Sequence, residues 1–166
     1  MRLARIDQAI EVCQAHLENS GATGTEIEAY LTRYLLVLIC AAFEEEIESL
    51  IIERAARSGD PALESFVRSA VGQIFRSLRT SEITGLLGRF GVSYRDRFRQ
   101  ELSNNERAET FFNNIVTNRH DTAHSAGSNV SFAELVRFYA EGHVVLDAVK
   151  VALGAERGSH ESSGGS

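Results

Sequence analysis

One octapeptide of the 166-residue chain concentrates side chains able to do chemistry: Asn118-Arg119-His120-Asp121-Thr122-Ala123-His124-Ser125. Arginine offers a permanently charged planar fork for anionic oxygens, and imidazole takes or gives a proton near neutral pH. The preceding turns carry Phe111, Phe112, Ile115 and Val116, so a cation at the end of this apolar run needs a reason. At about 100° per residue, Phe111, Ile115, Arg119 and Ala123 form one rising helical row, which continues Arg119 along the apolar stripe instead of out to water. Val116, His120 and His124 form the neighbouring row. Arg119 and His124 stand roughly 140° apart around the helix, so both reach one site only where that site is a groove approached from two sides.

Other readings of the same residues stay open. His120 and His124 have the i, i+4 spacing of two metal ligands, and Asp121, Glu44 or His143 could in principle supply a third. The HxxxH string lacks the glutamate of HExxH, however, and no Cys or His cluster accompanies it, so no metal is assigned. Alternatively, Arg119 makes a buried salt bridge while the histidines cap or pack. Arginine followed by four to six residues and then histidine occurs about 1.4 times by chance in a chain of this composition. It occurs twice here, at Arg119–His124 and Arg137–His143. Context separates the two, because His143 is embedded in an apolar face and reads as a packing histidine.

The elements that must hold the motif read as helices throughout, with Pro61 the only proline. A chain of this length makes one domain with a full core, assigned here to residues 1–153, and residues 154–166 form a Gly/Ser-rich tail expected to be disordered. The first helix spans about residues 2–19, with Leu3, Ile6, Ile10, Cys13 and Leu17 on one face. Thr23 and Glu26 have capping-box spacing and open a long second helix to about Arg57, apolar nearly all round from Tyr30 to Phe43 and therefore central. Glu44, Glu45, Glu46 and Glu48 follow at once. Three consecutive carboxylates span most of a turn, so at least one faces the protein side.

Asp60 and Pro61 restart the chain as N-cap and first helical residue of a third helix running to about Leu78, with Leu63, Phe66, Val67, Ala70, Ile74 and Leu78 at helical spacing. Two short helices, 81–90 and 93–102, meet at Gly91. Ser103 with Glu106 opens the motif helix, and Ser131 with Glu134 opens the last one, whose stripe runs Phe132, Leu135, Val136, Tyr139, His143, Leu146, Val149 and Leu153.

The net charge of −6 does not advertise a nucleic-acid binder. Between residues 76 and 100, however, Arg76, Arg79, Arg89, Arg95, Arg97 and Arg99 face only Glu82 and Asp96, a local excess of four positive charges that can hold an anionic ligand. Cys13 and Cys40 read as buried free thiols. No cleavable leader is visible at the start, and the longest apolar run, Leu35 to Phe43, falls far short of the ~20 residues that cross a bilayer. The expectation is a soluble cytoplasmic protein without membrane attachment.

The octapeptide, following an aromatic and aliphatic helix, resembles the R-x(4-6)-H helix of the HEPN superfamily. Leu36 to Glu48 resembles the long second helix of these domains, where an apolar run meets a glutamate, here Phe43-Glu44. Ile83 to Gly91 is similar to the segment before the motif helix in a stand-alone branch, RiboL-PSP-HEPN or its near relatives. The resemblance covers roughly residues 25–150. It implies an all-α HEPN-like bundle of five to seven helices that forms a homodimer through the motif helices, and metal-independent, cofactor-free endoribonuclease activity.

RNA supplies its own nucleophile, the 2′-OH, so the enzyme needs a proton carrier and a fixed cation for the crowded phosphorane. On this reading His124 and Arg119 are catalytic, with His120, Asp121 and Glu44 in support. Glu44 is chosen to orient Arg119 because a buried guanidinium left unpaired would cost several kcal/mol. Arg89, Arg95, Arg97 and Arg99 are candidate RNA contacts. The resemblance further implies a toxin or defence effector restrained by an antitoxin or inhibitor protein, or else an inactive module binding RNA, nucleotide or a partner. Toxins of this type paired with nucleotidyltransferases often carry a tyrosine two residues beyond the motif histidine. Ala126 stands there, so control by modifying that tyrosine is not expected.

Overall fold

A computed structural model describes residues 2–74, 78–124 and 130–154, with side chains at 2–72, 78–119 and 130–154. Among these residues there is no strand, and eight helical segments follow one another: α1 (Ala4–Ser20), α2 (Glu26–Ala56), α3 (Pro61–Ile74), α4 (Thr80–Phe90), α5 (Val92–Ser103), α6 (Glu106–His124), α7 (Phe132–Gly142) and α8 (Val144–Ala152). α7 and α8 are separated only by His143, which keeps right-handed helical backbone angles (φ −59°, ψ −18°), so the expected last helix is interrupted at a single residue.

Helix ends follow local chemistry with two corrections. Gly21 closes α1 in the left-handed region at φ 63°. Asp60 Oδ1 accepts from the Ala62 and Leu63 amides at 2.9 and 3.2 Å, with Pro61 in the first turn as expected. The Ser131–Glu134 capping box forms in both directions. The Thr23–Glu26 box does not. Gly24 turns the chain at φ 77°, so Thr25 becomes the cap and accepts from the Ile27 amide at 3.2 Å. Ser103 likewise is no cap for α6: it lies in the last turn of α5 and donates to the Gln100 carbonyl at 2.8 Å.

The 31-residue α2 is the axis of the bundle, in contact with α1, α3, α6, α7 and α8. Leu35, Leu36, Ile39, Phe43 and Ile47 are fully buried. The apolar surround is not complete, because Tyr30, Tyr34 and Val37 are more than half exposed. They lie on one side of α2, a row left exposed among the described residues. α3 also differs from expectation. Leu63 and Phe66 are exposed, and its inward face is Val71 with Val67.

α6 and α7 approach closely because Gly142 has no side chain: a Cβ there would stand 2.9 Å from the Phe112 nitrogen. Tyr139, one turn earlier, buries its ring and uses its hydroxyl to accept from the Leu3 amide at 2.9 Å, tying the start of α1 to α7. His143 is the packing histidine anticipated, with Nδ1 3.0 Å from the Tyr139 carbonyl and its ring 5.8 Å from that of Tyr139. Burial holds its pKa below the usual imidazole value.

Gly142→Ala should destabilise the fold by about 1–3 kcal/mol in urea unfolding, since the obstructing atoms are backbone and cannot rotate away. Gly85→Ala, with nothing within 4 Å of its Cβ, should be neutral or stabilising by up to about 1 kcal/mol. An imidazole with a depressed folded pKa leaves the unfolded chain to take up the proton first. Stability should therefore decline as pH falls through about 6.5. The same melts on His143→Phe should show a shallower decline over that interval.

Candidate functional site

The site begins where α6 crosses α2. The rings of Phe43 and Phe112 stack with centroids 5.0 Å apart and planes at 11°, and Tyr139 from α7 lies 6.2 Å beyond Phe43. Phe112, Ile115 and Val116 are all buried on the same side of α6. Arg119 is one turn past Ile115 on that side, and its Nη1 donates to Glu44 Oε1 at 2.7 Å, across 75 residues of sequence. The side chains keep 37% and 30% of their surface accessible, so the pair lies at the edge of the α2–α6 packing, not inside the core.

The acidic run divides between helices. Glu45 turns to the exposed Arg5 of α1 and bonds to it, while Glu44 serves α6. Glu48, one turn beyond Glu44, has its carboxyl pKa raised, first by burial and then by the negative charges of Glu44 and Glu45. Beneath the pair lies Cys40, one turn before Glu44. Burial pushes its thiol up to about 12, an effect that Arg119 opposes and Glu44 reinforces. At neutral pH Cys40 is therefore an inert thiol forming the floor of the site.

The α6 backbone stays helical through His124, so the spacing read from sequence holds on a real helix. Arg119 and His124 are separated by about 7.5 Å of rise and about 140° of rotation. The side chains of His120, Asp121 and His124 lie outside the described residues. Among the described residues, no group of three His, Cys, Asp or Glu is placed to hold a metal ion.

A polar anchor that sequence reading missed fixes α6 from the other side. The Thr80 amide donates to Asn113 Oδ1 at 3.1 Å, the Thr80 hydroxyl donates to Glu109 at 2.8 Å, and Asn113 Nδ2 donates to that hydroxyl at 2.9 Å. Asn113 thus takes the place of the missing N-cap of α4, where Arg79 offers no side-chain bond. The i, i+4 spacing of Glu109 and Asn113 put them on one face, but only the fold shows which helix start they meet.

The candidate RNA-contacting arginines lie on α4 and α5. Arg95 pairs with its neighbour Asp96 at 3.0 Å, and Arg89 and Arg99 are exposed. Arg97 instead lines a cavity with Arg54 and Arg57 of α2, two residues the charge count had not singled out. Arg76 lies outside the described residues. No described helix is long and apolar enough to cross a membrane.

Comparison with curated proteins gives no match, and neither does comparison with solved structures. A family model does match: that of RiboL-PSP-HEPN, over residues 1–154, which takes in every helix described above. With an all-helical bundle, a long central α2 and an arginine-bearing α6 packed against it, the chain belongs to the RiboL-PSP-HEPN family.

Proposed function

We propose that this chain is a metal-independent endoribonuclease of HEPN type, and the observation that carries the reading is the Arg119–Glu44 pair at 2.7 Å, with His120 the next residue and His124 five residues on along the same helix. A part-exposed guanidinium held by one carboxylate is positioned to meet a phosphate without reorganising. In this reading the RNA 2′-oxygen attacks the adjacent phosphorus, and the 5′-oxygen leaves. His124 carries the proton taken from the 2′-OH or given to the departing oxygen, and Arg119 faces the negative charge of the phosphorane. His120 and Asp121 are supporting groups on the same turns. The products are a 2′,3′-cyclic phosphate and a 5′-hydroxyl end.

The uncovered row of α2 supports a homodimer. Tyr30, Tyr34 and Val37 lead through Ala41 to Glu44 at alternating steps of four and three residues, so the exposed apolar stripe runs into the ion pair. A second copy laid on this face, with the motif helices side by side, would form a groove and bring two Arg/His sets together. The biological role that goes with this reading is a cytoplasmic toxin or defence effector, restrained by an antitoxin or inhibitor protein.

The test is cleavage of end-labelled tRNA and mRNA in excess EDTA. Wild type should cut and leave cyclic phosphate ends, while Arg119→Ala and His124→Ala each lower the rate by about 10²–10⁴-fold with the fold intact. A folded protein that cuts none of these RNAs would be a HEPN module for binding RNA, nucleotide or a partner instead. Cutting only with added metal would revive the two-histidine metal reading. Separately, Tyr34→Glu and Val37→Glu should convert a dimer to a monomer in light scattering and remove cleavage with it. Monomeric wild type would defeat the dimeric arrangement.

A further inference from the structure

A second basic feature lies at the far end of α2, some ten residues and about 15 Å of helix beyond Glu44. Arg54 and Arg57, one turn apart, face Ser93, Tyr94 and Arg97 on one side of α5 and Leu153 and Gly154 just past α8. Together they line a cavity of about 300 Å³ with no acidic side chain among the described residues. Arg5, Arg68, Arg95, Arg107 and Arg119 each meet a carboxylate elsewhere in the protein. Among the described residues, Arg54, Arg57 and Arg97 meet none. Three uncompensated cations converge on one hollow of a chain whose net charge is −6.

The cavity is built from donors. Arg54 Nη2 donates to the Tyr94 hydroxyl at 2.8 Å, and its guanidinium lies 5.7 Å from that ring's centroid, which holds it in place. Because the phenol oxygen is the acceptor, its own proton remains to be donated. Arg57 spends Nη1 and Nη2 on the Gly154 and Leu153 carbonyls, at 3.1 and 3.4 Å, so it is fixed as well. Arg97 makes no hydrogen bond or ion pair among the described residues. Two arginines are preset, a third is uncommitted, and two hydroxyls stand beside them.

We propose that this cavity is a phosphate-binding site. Three guanidinium forks with phenol and serine donors suit a tetrahedral group rich in acceptors and carrying more than a single charge, better than a lone carboxylate. The ligand chemistry is a phosphate, whether free or part of a nucleic-acid backbone. The proposal does not depend on cleavage.

The test is binding to the full chain at low salt, by calorimetry for inorganic phosphate and by anisotropy for a labelled 2′-O-methyl RNA oligonucleotide that cannot be cut through its 2′-oxygen. Saturable binding that Arg97→Gln weakens by at least about 10-fold, while Arg68→Gln on the exposed face of α3 leaves it within about two-fold, supports the site. If the oligonucleotide is the ligand, Arg97→Gln also lowers the salt slope by about 0.7 per lost phosphate contact, whereas binding of inorganic phosphate alone assigns a free phosphate ligand. Arg97 holds nothing in the fold, so its variant should keep the wild-type circular dichroism and melt. Arg54→Gln provides a second arm. Absence of saturable binding of both probes to wild type overturns the proposal, as does equal weakening by the Arg97 and Arg68 variants. Because the readout is binding, a protein that cuts no RNA still gives a result here.

Discussion

The contact on which the rest of this structure depends is Phe43 lying flat on Phe112. It sets the separation and rotation of α6 against α2, and it leaves no freedom in what comes next along either chain. Glu44 is the residue after Phe43, and Arg119 is two turns after Phe112 on the same side of α6. Helical side chains lean towards the N-terminus of their own helix, so the long Arg119 side chain reaches back in the direction of the stack, where Glu44 waits. Gly142 keeps α7 close on the opposite side of Phe112, and the Thr80–Asn113–Glu109 bonds hold α6 from α4. A helix gripped from three directions can present one cation at a fixed place.

Charge placement follows from the cost of burying ions. A carboxylate or guanidinium withdrawn from water needs a partner, and the protein meets this by distributing the glutamates of one α2 turn between α1 and α6. The Arg119–Glu44 pair stops short of full burial, and a part-exposed guanidinium can still meet a ligand. Cys40 beneath it closes the floor with a small apolar side chain. At the other end of α2, Arg54, Arg57 and Arg97 share a hollow with no carboxylate among the described residues. The exposed Tyr30–Tyr34–Val37 row is the apolar counterpart, a stripe on the central helix left exposed among the described residues.

Much of the architecture was legible before any coordinates. Asp60-Pro61, Gly21 and Gly91 punctuate helices through their own backbone and side-chain preferences, which act over a few residues and need no distant partner. The rows of α1, of the α7–α8 pair and of α6 were readable for a similar reason, since apolar spacing reports directly which side is buried. Thr23 and Ser103 misled because a serine or threonine three residues before a glutamate is a frequent pattern. The helix begins where an amide finds an acceptor, and the turn at Gly24 moved that point to Thr25. Leu63 and Phe66 misled because spacing identifies an apolar face without saying that another helix will cover it.

Sequence by itself determined the helical class, the central position of α2, and that Arg119 continues a buried row and so requires a carboxylate. Those conclusions rest on periodicity and on the cost of an unpaired ion, both local properties. Only the tertiary structure decided that Glu45 goes to Arg5, that Cys40 lies beneath the Arg119–Glu44 pair, that Asn113 caps α4, and that Arg97 shares a cavity with Arg54 and Arg57. Each of these depends on the rotation of one helix against another. That rotation is set by ring stacking and a missing Cβ, between residues far apart along the chain.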